Sequence, residues 1–234
     1  EDVDPKFVKM LIAYEDKRFY DHGGIDFTAL LRAAYQLAGS GRIVSGGSTL
    51  SMQLARLIEP RESRSFGSKF RQLARAVQIE RRLSKSEILE RYLTLAPYGG
   101  NLEGVRSASL AYFGKEPLRL TTSEAALLVA LPQLPERRRP DREMKNAVAA
   151  RDRVLTRMVT SEVFTSEEAE RASRERISAT RHPLPALAAH FADLAVKQAP
   201  TEARHHLTLK KSVQAGLEAV AREAAAKLGP KVSV

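Results

Sequence analysis

Apolar residues recur at helical spacing along most of the chain. Asp4 followed by Pro5 reads as a helix cap with a first-turn proline, and Phe7, Val8, Leu11 and Ile12 repeat behind them on one side. Asp26 is placed to cap a second helix with Leu30, Leu31, Ala34 and Leu37 on one side and Gly39 as its stop. The stretch SGRIVSGGS (40–48) reads as a loop, after which Ser48 caps TLSMQLARLI (49–58) and Pro60 ends it. GSKFRQLARAVQIERRL (67–83) is a long amphipathic helix. Ser84 with Glu87, Thr121 with Glu124 and Thr165 with Glu168 make capping boxes that open SKSEILERYLTLA, TTSEAALLVAL and TSEEAERAS. PYGGN (97–101) is a turn, and NAVAARDRVLTRMV (146–159) is again helical.

No strand-period run of useful length occurs before residue 205, and there is no internal repeat. The pattern predicts a mainly α domain over residues 1–180. Near Arg181–Pro185 the composition shifts. An Ala-rich helix (186–198), a short β-like run HLTLK (206–210) and a helix SVQAGLEAVAREAAAKL (212–228) follow, so residues 181–234 read as a linker and the start of a further region.

Composition narrows the partners. The chain has 234 residues, 43% of them hydrophobic, enough for a sizeable core, and 28% charged, with no apolar segment of spanning length. The net charge of +10 favours an anionic partner: nucleic acid, an acidic membrane surface or a phosphorylated substrate. Aromatics are only 6% and Trp is absent, so a base-stacking platform is unsupported and nucleic acid is not an expected partner. Absence of cysteine excludes disulfides, thiolate nucleophiles and Cys-based zinc sites, and the five histidines form no HExxH pattern, so no metal ligands are assigned. No signal peptide is visible, and the abrupt ends at Glu1 and Val234 are expected of a piece of a longer chain.

Three stretches carry chemistry. YEDKRFYDHGGID (14–26) puts Glu15 and Asp16 at the end of an apolar helix, ahead of a histidine and two glycines. A carboxylate leaving a buried helix can face a cleft, where desolvation raises its basicity. Taken alone, the stretch favours the blander reading of an acidic pair bound to Lys17 or Arg18. SGGSTLSMQLAR (45–56) places glycines before a capped helix, leaving backbone N–H groups that suit an anion, although it lacks the lysine of a P-loop; alone it is an ordinary Gly-rich turn. Arg56, Arg61, Arg64, Lys69, Arg71 and Arg75 reach phosphate oxygens well, although such runs are usually solvated faces. Together, a base, a helix N-terminus and several cations fit transfer chemistry at a phosphate-bearing substrate.

These stretches, with LERYLTLAPYGG (89–100), SASLAYFGK (107–115) and LTTSEAALLVALPQLP (120–135), occur in an order that resembles the five motifs of glycosyltransferase family 51. That family is the peptidoglycan glycosyltransferase domain of class A penicillin-binding proteins, and the resemblance covers residues 5–160. The ARLIEP run and the third motif look most like the penicillin-binding protein 1C branch.

The resemblance implies a lysozyme-like, mainly α fold and an inverting reaction. The 4-hydroxyl of an acceptor lipid II attacks the anomeric carbon of the lipid-linked growing strand, undecaprenyl pyrophosphate leaves, and a β-1,4 bond forms. By the same resemblance Glu15 is the general base, with Asp16, Phe19, His22 and Gly24 as companions, His22 being structural. Gly47, Ser48, Thr49 and Gln53 line the donor cleft, Arg56 stands where a Lys is usual, and Arg64 and Lys69 hold the donor pyrophosphate. Gln72 occupies the catalytic position where the family carries a second Glu, Met52 replaces the first of two glutamines, and Thr94 replaces an Asn. A glutamine can neither bind a metal as an anion nor donate an acidic proton. Pyrophosphate, however, needs charge neutralisation more than protonation. No cofactor is required on this reading, a divalent cation such as Mg2+ being the one candidate.

Alternatives are a weakened or inactive member that binds lipid-linked glycan for a partner enzyme, a basic nucleic-acid-binding domain, and a glycosidase, which would need two carboxylates. Expected partners are lipid II, the lipid-linked growing strand, a membrane surface and other cell-wall synthesis proteins. Residues 27–46, with Leu30, Leu31, Tyr35, Leu37, Ile43 and Val44, either dip into the membrane interface or are simply core. The resemblance places the domain on the periplasmic or extracytoplasmic face, anchored by a helix preceding Glu1. Residues 206–234 resemble the approach to a transpeptidase domain, and no Ser-x-x-Lys motif is present.

Overall fold

The helix α7 (Thr122–Ala130) is apolar all round, and every residue from Ala125 to Ala130 is buried. Such a helix has to be sheathed by others. In the computed structural model, which describes residues 3–40, 47–60, 66–178, 180–184, 186–202 and 205–228, the sheath is formed by α1 (Pro5–Glu15) and α8 (Met144–Thr160). α1 turns Phe7, Met10 and Leu11 inward, and α8 contributes Ala147, Val154, Leu155 and Met158. A second group packs α3 (Leu50–Ile58) against α4 (Phe66–Arg82) and α5 (Lys85–Leu95). The remaining helices of this unit are α2 (Phe27–Ser40), α6 (Val105–Phe113) and α9 (Ser166–Arg174). The chain is mainly α, as its periodicity indicates.

Local signals act as their chemistry dictates. Asp4 accepts from the Lys6 N–H, Asp26 Oδ1 accepts from the Ala29 N–H, and all three capping boxes close in both directions. Four details differ from the sequence expectation. The cap of α3 is Thr49, not Ser48, because Thr49 Oγ1 is held by the Gly24 carbonyl at 2.7 Å while it accepts from the Met52 N–H at 3.1 Å. Gly39 does not stop α2, which runs through Ser40. PYGGN is part of a hairpin in which Pro97–Gly99 pairs with Leu102–Glu103. Its Gly99 has φ +99°, and a Cβ there would lie 2.6 Å from Arg139 Cγ. The run HLTLK forms no strand among the described residues, since a strand without a partner leaves its backbone groups unpaired.

Chain contacts divide the molecule into Glu1–Pro183 and Leu184–Val234. The second unit holds α10 (Ala189–Gln198) and α11 (Lys211–Leu228), tied together where Glu218 accepts from the Ala188 N–H and from Gln214 Nε2. No helix among the described residues is long and apolar enough to cross a membrane.

Because α7 supports the helix that ends at Glu15, truncating Leu127 opens a cavity beneath it. Leu127→Ala should lower stability by about 3 kcal/mol, measured as the shift of a urea unfolding curve, and a loss under about 1 kcal/mol would mean that α7 is not the central support.

Candidate active site

Glu15 is the last residue of α1, and the helix stops because Asp16 adopts φ −157°, ψ 72° while its N–H still bonds the Ile12 carbonyl. The half-buried Glu15 carboxylate is gripped on both oxygens. Gln53 Nε2, from α3, donates to Oε2 at 2.8 Å, and Gln133 Nε2, from the turn after α7, donates to Oε1 at 2.8 Å. Burial pushes this carboxyl above its ordinary value of 4.5, and the two carboxamides, with the charges of Arg157 and Arg138, oppose the shift. Its grip therefore comes from amides rather than from Lys17 or Arg18; Arg18 turns away to Thr28 and to Asp26, 3.8 Å distant.

Asp16 is buried and has a different task. It accepts from His22 Nε2 at 2.9 Å and from the Leu50 N–H at 2.9 Å, the first amide of α3. His22 Nδ1 accepts from the Gly24 N–H at 3.2 Å, which leaves the ring proton on Nε2, facing Asp16. Gly24 has φ +98°, and a Cβ there would press to 2.8 Å from the Ala76 carbonyl oxygen, so this corner accepts no side chain. Phe19 is fully buried, with the Lys85 ammonium 4.6 Å from its ring centre; Lys85 also donates to the His22 carbonyl and to Glu80. Phe19 thus supports the loop and presents no surface to a ligand.

At the N-terminus of α3 the Leu50 and Met52 amides are taken by Asp16 and by Thr49 Oγ1, so one anion already held there is a protein carboxylate. Gly47 and Ser48 are half-buried just ahead of it, and a Cβ on Gly47 would lie 2.6 Å from Leu30 Cδ2. Arg56 is exposed one turn beyond Gln53, and its charge reaches Tyr92. Residues 41–46, Arg61 and Arg64 lie outside the described residues, as do the side chains of Ala34 and Leu37.

Gln72, expected at the second catalytic position, is buried, and its side chain clips α4 to α3. Nε2 donates to the Met52 carbonyl at 2.5 Å, and Oε1 accepts from Lys69 Nζ at 3.3 Å. It has no acidic proton to give, and each end of the amide makes a bond within the protein. Glu80, also on α4, is bonded to Ser51 and Lys85. Among the described residues no group of three or more His, Asp or Glu could hold a metal ion.

Sequence reasoning missed three contributors. Tyr92 Oη donates to Gln53 Oε1 at 3.3 Å, Arg138 Nη1 donates to Gln133 Oε1 at 3.2 Å, and Gln133 itself meets a carboxylate 118 positions away in the chain. Gln133 lies within the ALPQLP run that carries part of the resemblance, yet nothing in its local pattern points to Glu15.

A desolvated carboxylate aimed by two amides, with Arg157 and Arg138 acting on it, is an arrangement suited to general-base chemistry. Comparison with known proteins agrees. The transglycosylase family model matches residues 1–159, and the chain belongs to that family, as a glycosyltransferase. It is 44% identical, over all of its 234 residues, to penicillin-binding protein 1C of Escherichia coli strain K12, covering 30% of that protein. It is 37% identical to penicillin-binding protein 1A of the same organism over 78% of the chain and 21% of the relative, and 38% identical to penicillin-binding protein 1F of Bacillus subtilis strain 168 over 70% and 23%. The chain thus spans less than a third of these relatives. A crystal structure of penicillin-binding protein 1A from Haemophilus influenzae aligns over 64% of the chain and 20% of that chain, with 26% identity and a TM-score of 0.41.

The clip makes a test. In Gln72→Glu an acceptor replaces the donor facing Met52, in a buried place, so the new carboxyl has a folded-state pKa above its unfolded one. The ionised form is then penalised at neutral pH, by about 1–3 kcal/mol less whatever Lys69 returns, and the penalty fades as pH falls through the folded pKa and O–H again faces the carbonyl. Unfolding curves of variant and parent should separate at pH 7.5 and converge towards pH 5; a constant gap would contradict the clip.

Proposed function

We propose that this domain polymerises lipid II into β-1,4-linked glycan strands by inverting transfer, releasing undecaprenyl pyrophosphate, with Glu15 as the general base. The observation that carries the reading is Glu15 itself, desolvated yet held by Gln53 and Gln133 through one oxygen each. A carboxylate has about four lone-pair positions, so each oxygen keeps one for an incoming hydroxyl. The acceptor 4-hydroxyl gives its proton to Glu15 as its oxygen attacks the anomeric carbon from the face opposite the leaving group. The bond to the pyrophosphate breaks, and the pyrophosphate keeps the electron pair. Arg56 and Lys69, with Arg64 by resemblance, neutralise that charge. Protonated Glu15 cannot act, so turnover falls as pH drops through its raised pKa.

The residues around Glu15 do not make a divalent-cation cage, since Asp16 is spent on His22 and Leu50 and Gln72 is neutral and engaged. No step is assigned to a metal. The buried Gln72 clip also favours, as a second reading, a weakly active member that mainly binds lipid-linked glycan for a partner enzyme.

Phe27, Leu31 and Tyr35 are 69%, 72% and 82% exposed at i, i+4 and i+8 along α2. An apolar stripe this exposed, on a chain of net charge +10, suits the interface of an anionic membrane. This supports work at a membrane surface. Residues 206–234 resemble the approach to a transpeptidase-type region.

Two experiments test the reading. Labelled lipid II, incubated with and without Mg2+, should yield polymer, and Glu15→Gln should lose at least about 100-fold of that rate with its melting temperature unchanged; undiminished polymer would remove Glu15 from its role. Replacing Phe27, Leu31 and Tyr35 together by Ser should reduce co-sedimentation with phosphatidylglycerol vesicles several-fold, and unchanged binding would assign the stripe elsewhere.

A further inference from the structure

A carboxamide has two faces, and only one suits a carboxylate. Its NH2 attracts Glu15, whereas its oxygen would repel it. Both glutamines at Glu15 are therefore effective only if something sets their orientation, and each has a donor on its far side. For Gln53 the donor is Tyr92, whose hydroxyl meets Oε1 at 3.3 Å. A hydroxyl also accepts, so Tyr92 would tolerate either orientation of the amide. For Gln133 the donor is Arg138 at 3.2 Å, and a guanidinium has no acceptor. A reversed Gln133 would set NH2 against N–H on one side and oxygen against carboxylate on the other.

Arg138 is itself immobilised. It is buried at 9% exposure, and its Nη1 also donates to the Ala130 carbonyl at 2.5 Å, at the end of α7. Gln133 ends the short 3-10 turn Leu131–Gln133 that follows, so donor, amide and core helix form one rigid corner. We infer that Gln133 is a positioning residue for Glu15 and that Arg138 fixes the face of Gln133 that the carboxylate meets. The inference rests on reading Glu15 as the base, and it adds two residues that act through Glu15 rather than on substrate.

The charged and titratable groups facing Glu15 are Arg157 from α8, Arg138 from the turn Glu136–Arg138 and Tyr92 from α5, with Asp16 next in the chain. Removing the Gln133 donor leaves Arg157 in place but destabilises the ionised carboxylate. Its pKa then rises, and the acid limb of the rate profile moves to higher pH. Loss of a hydrogen bond to a charged group moves its titration midpoint by about 1–2 pH units.

The test is a carbon-13 NMR titration of the Glu15 side-chain carboxyl in the whole chain, its resonance identified by its loss in Glu15→Gln. Gln133→Leu, at an exposed position, should raise the midpoint by about 1–2 units. Arg138→Met should raise it as well, and Gln133→Leu added to Arg138→Met should then add less than it does alone, because an unoriented amide has less to lose. On lipid II, Gln133→Leu should lower kcat and shift the acid limb by the same amount, with KM little changed. An unmoved Glu15 midpoint in Gln133→Leu overturns the inference whether or not Arg138→Met folds, and strict additivity of the two substitutions overturns the part played by Arg138. Polymer made undiminished by Glu15→Gln would instead overturn the functional reading, while the titration would still decide the positioning.

Discussion

The bond from the Leu50 amide to the Asp16 carboxylate joins the parts of this site. It fastens the end of α1 to the start of α3, and the same carboxylate is squared from the other side by His22. Because α3 is pinned at its first amide, Gln53 arrives one turn later at Glu15, and Arg56 a further turn along. The carboxylate beside Glu15 is thus occupied in construction. Burial raises the pKa of Asp16, the His22 and Leu50 bonds lower it, and the net result is a rise. The joint is assembled at some electrostatic cost, offset by the packing that it fixes.

The chemistry follows from that division of labour. Two neighbouring carboxylates sit in different surroundings: one locked in a hydrogen-bonded joint, the other half-buried, where amides hold it without neutralising it. Amides suit a base better than ammonium or guanidinium partners at contact distance, because they orient it while taking less of its basicity. The cations Arg157 and Arg138 stand further off, where their field favours the ionised form of Glu15. Gln72 fits the same scheme. It is a neutral clip between α4 and α3, the helix that carries Gln53.

What was legible in the sequence was local. Asp4 with Pro5 and the three capping boxes act within four residues of chain, and the helices form where their apolar spacing places them. Glu15 at a helix end could be seen, although its partners could not. The shift of the α3 cap from Ser48 to Thr49 depends on a carbonyl 25 positions earlier, and the reach of Gln133 to Glu15 spans 118. Pro97–Gly99 is too short to show alternation, whereas HLTLK alternates without a partner strand. The bond from Gln72 to Met52 could not be read either, because a motif position records where a residue lies along α4, not which way its amide turns.

The central claim is that the group limiting turnover at low pH is the amide-held carboxylate of Glu15. The most direct measurement compares two numbers on the unmodified chain: the midpoint of the acid limb of kcat/KM for lipid II polymerisation, and the midpoint of the Glu15 carboxyl titrated directly by carbon-13 NMR. The account predicts that they coincide and lie above the ordinary value of 4.5. A Glu15 that titrates at or below that value, or an acid limb that sits apart from it, would contradict the account.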